Sequence, residues 1–112
     1  MKTVNRTLLF VVPKKPFFDW VKSIDQASEP IPESDYRSAY LIPDKFDETN
    51  YTTYLRKNFK TIFEEELVSE FTDSDLWPQK IDYKMFVSWF DVQACEMVYD
   101  LGKGLLEVEE FD

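Results

Sequence analysis

Apolar residues fall on both sides of the first strand that the sequence predicts, residues 4–12. Two alternating sets share this segment: Leu9 and Val11 on one side, and Val4, Leu8, Phe10 and Val12 on the other. A strand with one solvent-exposed face usually carries apolar side chains on one side only. The pattern therefore predicts a central strand covered on both faces, by helices or by a second subunit.

Three later segments carry apolar side chains at the three- to four-residue spacing of a helix. They are residues 16–26, 48–71 and 83–90. Asp82 is placed to cap the third helix, because a carboxylate just before a helix accepts a bond from an unpaired backbone N–H group. We expect the Glu64–Glu66 triplet to lie on the outward side of the long second helix.

Alternating apolar residues predict two further strands, over residues 37–42 and 92–99. Residues 105–111 could return as a short edge strand or stay loose. The order of elements is β-α-β-α-α-β, with that possible fourth strand at the end. This order predicts one α+β domain over residues 1–112. We expect a small mixed or antiparallel sheet of three to four strands, with three helices mainly on one face.

The chain lacks the residues on which most recognisable reaction chemistry depends. It has no histidine, a single cysteine (Cys95), and only two glycines, Gly102 and Gly104. A histidine-based triad, a zinc site within one chain and a glycine-rich phosphate loop are therefore excluded. The sequence assigns no catalytic residue, no metal ligand and no cofactor.

The net charge of −9 is unevenly distributed. Residues 1–30 carry five basic and three acidic side chains, whereas residues 91–112 carry one and seven. A negative surface repels phosphate backbones and anionic lipids, so we expect neither a nucleic acid nor a membrane as a partner. The apolar stretch at residues 8–12 is too short for a signal peptide, and one cysteine fits a reducing compartment, which favours a cytoplasmic location.

Aromatic side chains are unusually frequent, with ten Phe, six Tyr and three Trp. Either they form a dense core, or some of them line a groove or an oligomer interface, where aromatic residues are enriched. Both interpretations fit the composition.

Several segments, spread over nearly the whole chain, are similar to a family of short bacterial proteins of unknown function. They are residues 13–21 (PKKPFFDWV), 40–43 (YLIP), 63–67 (FEEEL), 76–78 (LWP), 89–92 (WFDV) and 97–101 (MVYDL). The resemblance implies a bacterial, single-domain, cytoplasmic protein. It implies no activity, partner or site residue.

Three residues are candidates for binding a ligand. Lys14 and Lys15 precede a predicted helix, whose free N–H groups favour an anion such as a phosphate or a carboxylate. The alternative is that both are solvated lysines. Trp77 lies in a predicted loop beside Pro78, where it either plugs the core or presents a binding edge, and we favour the plug.

The acidic residues suggest weaker candidates. Asp73-Ser74-Asp75 resembles the start of a calcium loop, but the glycine and the glutamate that such a loop requires are missing, so capping and turn formation are favoured. Carboxylates could pair at Glu66 and Glu70, or among Asp44, Asp47 and Glu48, as an acid and base or around Mg²⁺; solvated surface is favoured. We expect Cys95 to be a small buried side chain.

These observations leave three functions open. The first is a small acidic, non-catalytic module that binds another protein or forms a homodimer. The second is a carboxylate-based or Mg²⁺-dependent enzyme acting on a small substrate. The third is an acidic mimic of a nucleic acid. The first leads because the chain lacks catalytic signatures.

Overall fold

A computed structural model describes residues 1–26 and 38–111. The strands and helices, in chain order, are β1 (Lys2–Thr3), β2 (Arg6–Pro13), α1 (Lys15–Ile24), β3 (Ser38–Pro43), α2 (Tyr51–Val68), α3 (Tyr83–Trp89), β4 (Phe90–Cys95) and β5 (Tyr99–Asp100), with a 3₁₀ turn at Ser74–Leu76 between α2 and α3. The α+β class and the three helices predicted from the sequence are confirmed.

β2 is the central strand of a three-stranded antiparallel sheet of order β3-β2-β4, as its apolar pattern predicts. Leu8 lies opposite Leu41 on β3 and Cys95 on β4, and Leu9 lies opposite Tyr40. Because residues directly opposite each other in an antiparallel pair point to the same side, each such row belongs to one face of the sheet.

The helices cover one face of this sheet, which we call the inner face. The inner face and the helices contribute these buried side chains to a single hydrophobic core: Leu9, Val11, Ile42 and Phe90 from the sheet, and Phe17, Leu55, Ile62, Phe63, Leu67 and Phe86 from the helices. Four of these ten are phenylalanines, so much of the aromatic content is used in the core.

The aromatic core continues into partly buried rings around Phe63. Its ring centroid lies 5.2 Å from that of Phe90 and 5.3 Å from that of Trp89. Trp20 packs beside Trp89, with 6.1 Å between ring centroids, and its indole N–H donates to the Leu76 carbonyl over 3.1 Å. Offset and edge-on ring pairs at such separations add to the stabilisation that burial alone provides.

Several element boundaries differ from the prediction. α3 ends at Trp89 and β4 begins at Phe90, so the strand starts two residues earlier than predicted. The Asp82 cap is confirmed, because its carboxylate accepts a hydrogen bond from the Met85 N–H over 2.7 Å. The short 3₁₀ turn begins with a comparable bond, from the Asp75 N–H to the Asp73 carboxylate over 3.0 Å, so Asp73 caps this turn.

The predicted strand over residues 92–99 is interrupted. Its end, β5, pairs with β1 in a separate two-stranded antiparallel sheet, in which Thr3 lies opposite Tyr99. Between this pair and the Leu8–Cys95 pair, the segment on the β1–β2 side has four residues (4–7), and the segment on the β4–β5 side has three (96–98). That extra residue has the character of a bulge, which a regular alternation of apolar residues does not reveal. The possible strand at residues 105–111 is not formed.

Candidate interaction surface

The second face of the three-stranded sheet, which we call the outer face, is apolar and exposed. On β2, the side chains of Leu8, Phe10 and Val12 alternate with the buried residues of the inner face. Phe10 keeps 41% of its surface exposed, although it sits on the central strand, and Leu41 beside it on β3 keeps 50%. Among the described residues, helices thus cover one face of β2 and leave Phe10 partly exposed on the other.

The strand register gives the composition of this surface. The outer face consists of Arg6, Leu8, Phe10 and Val12 on β2, Ala39, Leu41 and Pro43 on β3, and Asp91, Gln93 and Cys95 on β4. Its middle is apolar, while Arg6 places a positive charge at one end and Asp91 a negative charge at the other. An apolar centre with a polar rim is the usual anatomy of a protein-binding surface.

Cys95 belongs to the outer face and is exposed, so the prediction of a buried thiol is wrong. It lies opposite Leu8, and this register turns its side chain away from the helices. Its Sγ atom lies 3.5 Å from the Met97 carbonyl oxygen. The reaction of Cys95, the only cysteine of the chain, with a thiol reagent can therefore report whether this surface is covered.

Residues 101–111, which we call the arm, follow β5 and form no helix or strand. The arm carries five large apolar side chains that are 60–92% exposed: Leu101, Leu105, Leu106, Val108 and Phe111. Leu, Val and Phe are among the residue types most often buried in folded proteins, so their exposure sets the arm apart from the core.

The start of the arm is held against β1. The Lys2 ammonium group lies 3.7 Å from the Asp100 carboxylate and donates a hydrogen bond to the Gly104 carbonyl. The Asp100 carboxylate also accepts a bond from the Gly102 N–H over 2.8 Å. Gly104 has a φ angle of +87°, a conformation that favours glycine. These contacts fix the direction in which the arm leaves the sheet.

The ligand-binding candidates from the sequence do not form one site. The Lys14 ammonium donates to the Val87 carbonyl over 2.8 Å, and its backbone N–H bonds the Trp89 carbonyl. Lys15 forms an ion pair of 2.8 Å with Asp19, one turn along α1. The hydrogen bond and the negative charge of Asp19 raise the pKa of Lys15. Both ammonium groups are thus engaged with groups of the protein.

Trp77 lines a groove of about 760 Å³ between α2 and the segment that leads to α3. Its ring packs against the core, and its indole N–H donates to the Phe71 carbonyl over 2.8 Å. The half-buried ring therefore contacts the core and lines the groove at once. Charged side chains of both signs surround it: Lys60, Glu64, Asp75, Lys80 and Asp82.

Glu66 is the acidic residue whose position the sequence analysis missed. It is 6% exposed and points into the protein, where its carboxylate accepts hydrogen bonds from the Ser38 hydroxyl over 3.0 Å and the Tyr40 hydroxyl over 3.1 Å. Burial raises the pKa of Glu66, while the two hydroxyl bonds oppose this shift. Burial and the negative charge of Glu66 in turn raise the pKa of Tyr40.

This carboxylate connects α2 to the inner face of β3 and is largely shielded from solvent. The signal for its burial was present, since Glu66 follows Ile62 and Phe59 by one and two helical turns, on the apolar side of α2. Asp47 also has a local role, because its carboxylate accepts bonds from the backbone N–H and the hydroxyl of Thr49 in the turn before α2.

No protein-family model matches this chain, and no curated protein or solved structure is significantly similar to it. The resemblance to a bacterial family therefore stays a prediction from the quoted segments. None of the helices within residues 1–26 and 38–111 combines the length and the apolar character needed to cross a bilayer.

Proposed function

We propose that this protein is a small, acidic, non-catalytic module that binds a protein chain through the outer face of its sheet. The observation that carries the proposal is the exposure of Phe10. A large aromatic side chain in the middle of a central strand, with Leu8 and Leu41 beside it, is a place where burial against a partner yields much free energy.

The charge of the molecule supports a protein as the partner. A net charge of −9 disfavours both nucleic acids and anionic membranes, whereas the outer face itself is mainly apolar. With one cysteine, the chain is suited to a reducing compartment, and we propose a cytoplasmic location.

The groove around Trp77, with its charges of both signs, is the surface on which the enzyme alternative depends. It combines Glu64, Asp75 and Asp82 with two lysines. Within the part of the chain that the structure describes, no three acidic or thiol side chains are grouped to share a metal ion. The most strongly buried carboxylate among the described residues, Glu66, accepts hydrogen bonds from two hydroxyl groups of the protein. We therefore place the interaction module first.

A pair of charge substitutions with equal starting exposure tests the proposal. Phe10→Lys places a charge in the outer face, and Val87→Lys places one on α3, at a side chain that is also 41% exposed. Tagged wild type and both variants are used to capture partners from cells of the source organism, with quantitative mass spectrometry. We expect a protein that wild type and Val87→Lys retain and that Phe10→Lys loses at least tenfold.

Circular dichroism and thermal unfolding verify that both variants are folded. Identical sets of captured proteins for all three chains, with no change in self-association, would contradict the proposal.

A further inference from the structure

The outer face and the arm are two uncovered apolar features of one molecule. Twelve large apolar side chains are at least 40% exposed among the described residues, and seven of them lie between Met97 and Phe111. Two more, Phe10 and Leu41, lie diagonally across from each other on the outer face. We propose that the arm of one copy covers the outer face of a second copy, and that the exchange is reciprocal. This inference rests on the proposed role of the outer face as a protein-binding surface.

The arm has the length and the pattern of a segment that lies along a sheet. Leu106 and Val108 alternate with Glu107 and Glu109, so an extended conformation places these two apolar side chains on one side, together with Glu110. Leu105 and Phe111 then lie on the other side, at the two ends of the segment. At about 3.3 Å per residue, residues 105–111 reach roughly 23 Å. β2, with eight residues, is of similar length, so the arm can follow the central strand over most of its course.

The charges of the two parts are complementary at one end of the outer face. The arm carries three glutamates and one lysine. The outer face carries one positive charge, Arg6, at one end and one negative charge, Asp91, at the other. Arg6, at the edge of the outer face, is exposed and is positioned to meet a glutamate of the incoming arm. Complementary charges at the rim set the register and exclude wrong partners more than they add affinity.

The contacts at the start of the arm favour a second copy over the arm's own sheet. Lys2 and Asp100 hold Gly102 and Gly104 against β1, and with these contacts in place the arm stays exposed. Binding to a second copy keeps all of them. Because each copy offers one arm and one outer face, a reciprocal exchange uses both and closes at a dimer.

Two variants of the full-length chain separate the arm from the face. The arm variant replaces Leu105, Leu106, Val108 and Phe111 with Ser, and the face variant carries Phe10→Lys and Leu41→Lys; Val87→Lys is the control. Sedimentation equilibrium and native mass spectrometry measure their association. We expect wild type and Val87→Lys to be dimers at tens of micromolar, and each of the two variants to dimerise at least tenfold more weakly.

Mixing the arm variant with the face variant is the decisive step. The first retains an intact outer face and the second an intact arm, so the pair can form one arm–face contact. We expect a heterodimer, recognised by its mass, in the mixture alone. The reaction of Cys95 with a thiol reagent gives a second measurement. It should be at least tenfold slower in wild type than in the arm variant, since the partner's arm covers the face in which Cys95 lies.

Three results would overturn the inference. An arm variant that dimerises like wild type indicates that two outer faces pair directly, which removes the arm but leaves the proposed function intact. A monomeric wild type with a slowly reacting Cys95, accelerated by the arm substitutions, indicates that the arm binds its own sheet. A monomeric wild type with a fast-reacting Cys95 excludes any docked arm, and the capture experiment with Phe10→Lys then decides the proposed function separately.

Discussion

The two faces of β2 differ in what covers them and hardly at all in the residues they present. On the inner face, Leu9 and Val11 have no exposed surface, and the helices pack over them. On the outer face, Phe10, which lies between them in the sequence, remains 41% exposed. Apolar alternation therefore identifies the strand and its central place, but not the element that covers each face.

The inner face also accommodates polar groups, whereas the outer face has them only at its rim. Thr7 is buried, and its hydroxyl donates a bond to the Phe46 carbonyl. Tyr40 and Ser38 donate to Glu66. Each of these polar atoms has a partner, as burial requires. An apolar face can be covered without leaving a polar group unpaired, and this difference between the two faces defines the experiments below.

The largest effect is expected on the inner side of β2. Leu9→Thr removes a fully buried side chain and leaves a hydroxyl in an apolar environment. By analogy with Leu-to-Ala changes in cores, the free energy of unfolding should fall by about 2–5 kcal/mol. Urea denaturation followed by circular dichroism measures the change. A loss below that range would mean that the helices do not hold the inner face as described.

An intermediate effect, which depends on pH, is expected from Glu66. Burial raises its pKa in the folded protein, so the folded state binds the proton more tightly than the unfolded chain does. This favours folding below the ordinary carboxyl pKa of about 4.3, and the advantage is lost as the pH rises through the folded pKa. Relative to Glu66→Gln, wild type should therefore gain stability as the pH is lowered from 7 toward 4.

The size of this gain is about 1.4 kcal/mol for each unit by which the folded pKa exceeds the unfolded one. The measurement is the difference in unfolding free energy between wild type and Glu66→Gln at several pH values. Glu65→Gln, on the exposed side of the same helical turn, controls for the loss of one negative charge. A difference that is constant with pH would contradict the assignment of Glu66 as a buried carboxylate with a raised pKa.

Sequence reasoning succeeded for the features that neighbouring residues determine. It predicted the α+β class, the three helices, the central place of β2 and the Asp82 cap, because period, spacing and capping chemistry are written in neighbouring residues. It failed for Glu66, which was assigned to the outward side because of its charge, although its spacing places it on the apolar side. It also failed for Cys95, whose direction depends on the strand register with Leu8.

The outer face could be predicted from the sequence only in part. The two-sided pattern of residues 4–12 indicated that a second cover was needed, but a helix and a second subunit produce the same pattern. The structure covers one face with helices and leaves Phe10 exposed. The sequence left residues 105–111 between an edge strand and a loose segment, because the charges that interrupt their apolar side chains weaken any periodic signal.

The smallest effect on stability is expected for Phe10→Thr, the counterpart of Leu9→Thr one residue along the same strand. Threonine retains a high strand propensity, and Phe10 already contacts solvent, so we expect the unfolding free energy of the monomer to change by no more than about 1 kcal/mol. The measurement is urea denaturation in the arm variant, where self-association through the arm is removed.

A loss as large as that of Leu9→Thr would show that Phe10 stabilises its own fold, and the outer face would then be part of the core. A small loss in the monomer, combined with weaker association in the chain with a native arm, would place the contribution of Phe10 in binding. The same substitution at adjacent positions thus separates what the strand does for its own domain from what it does for a partner.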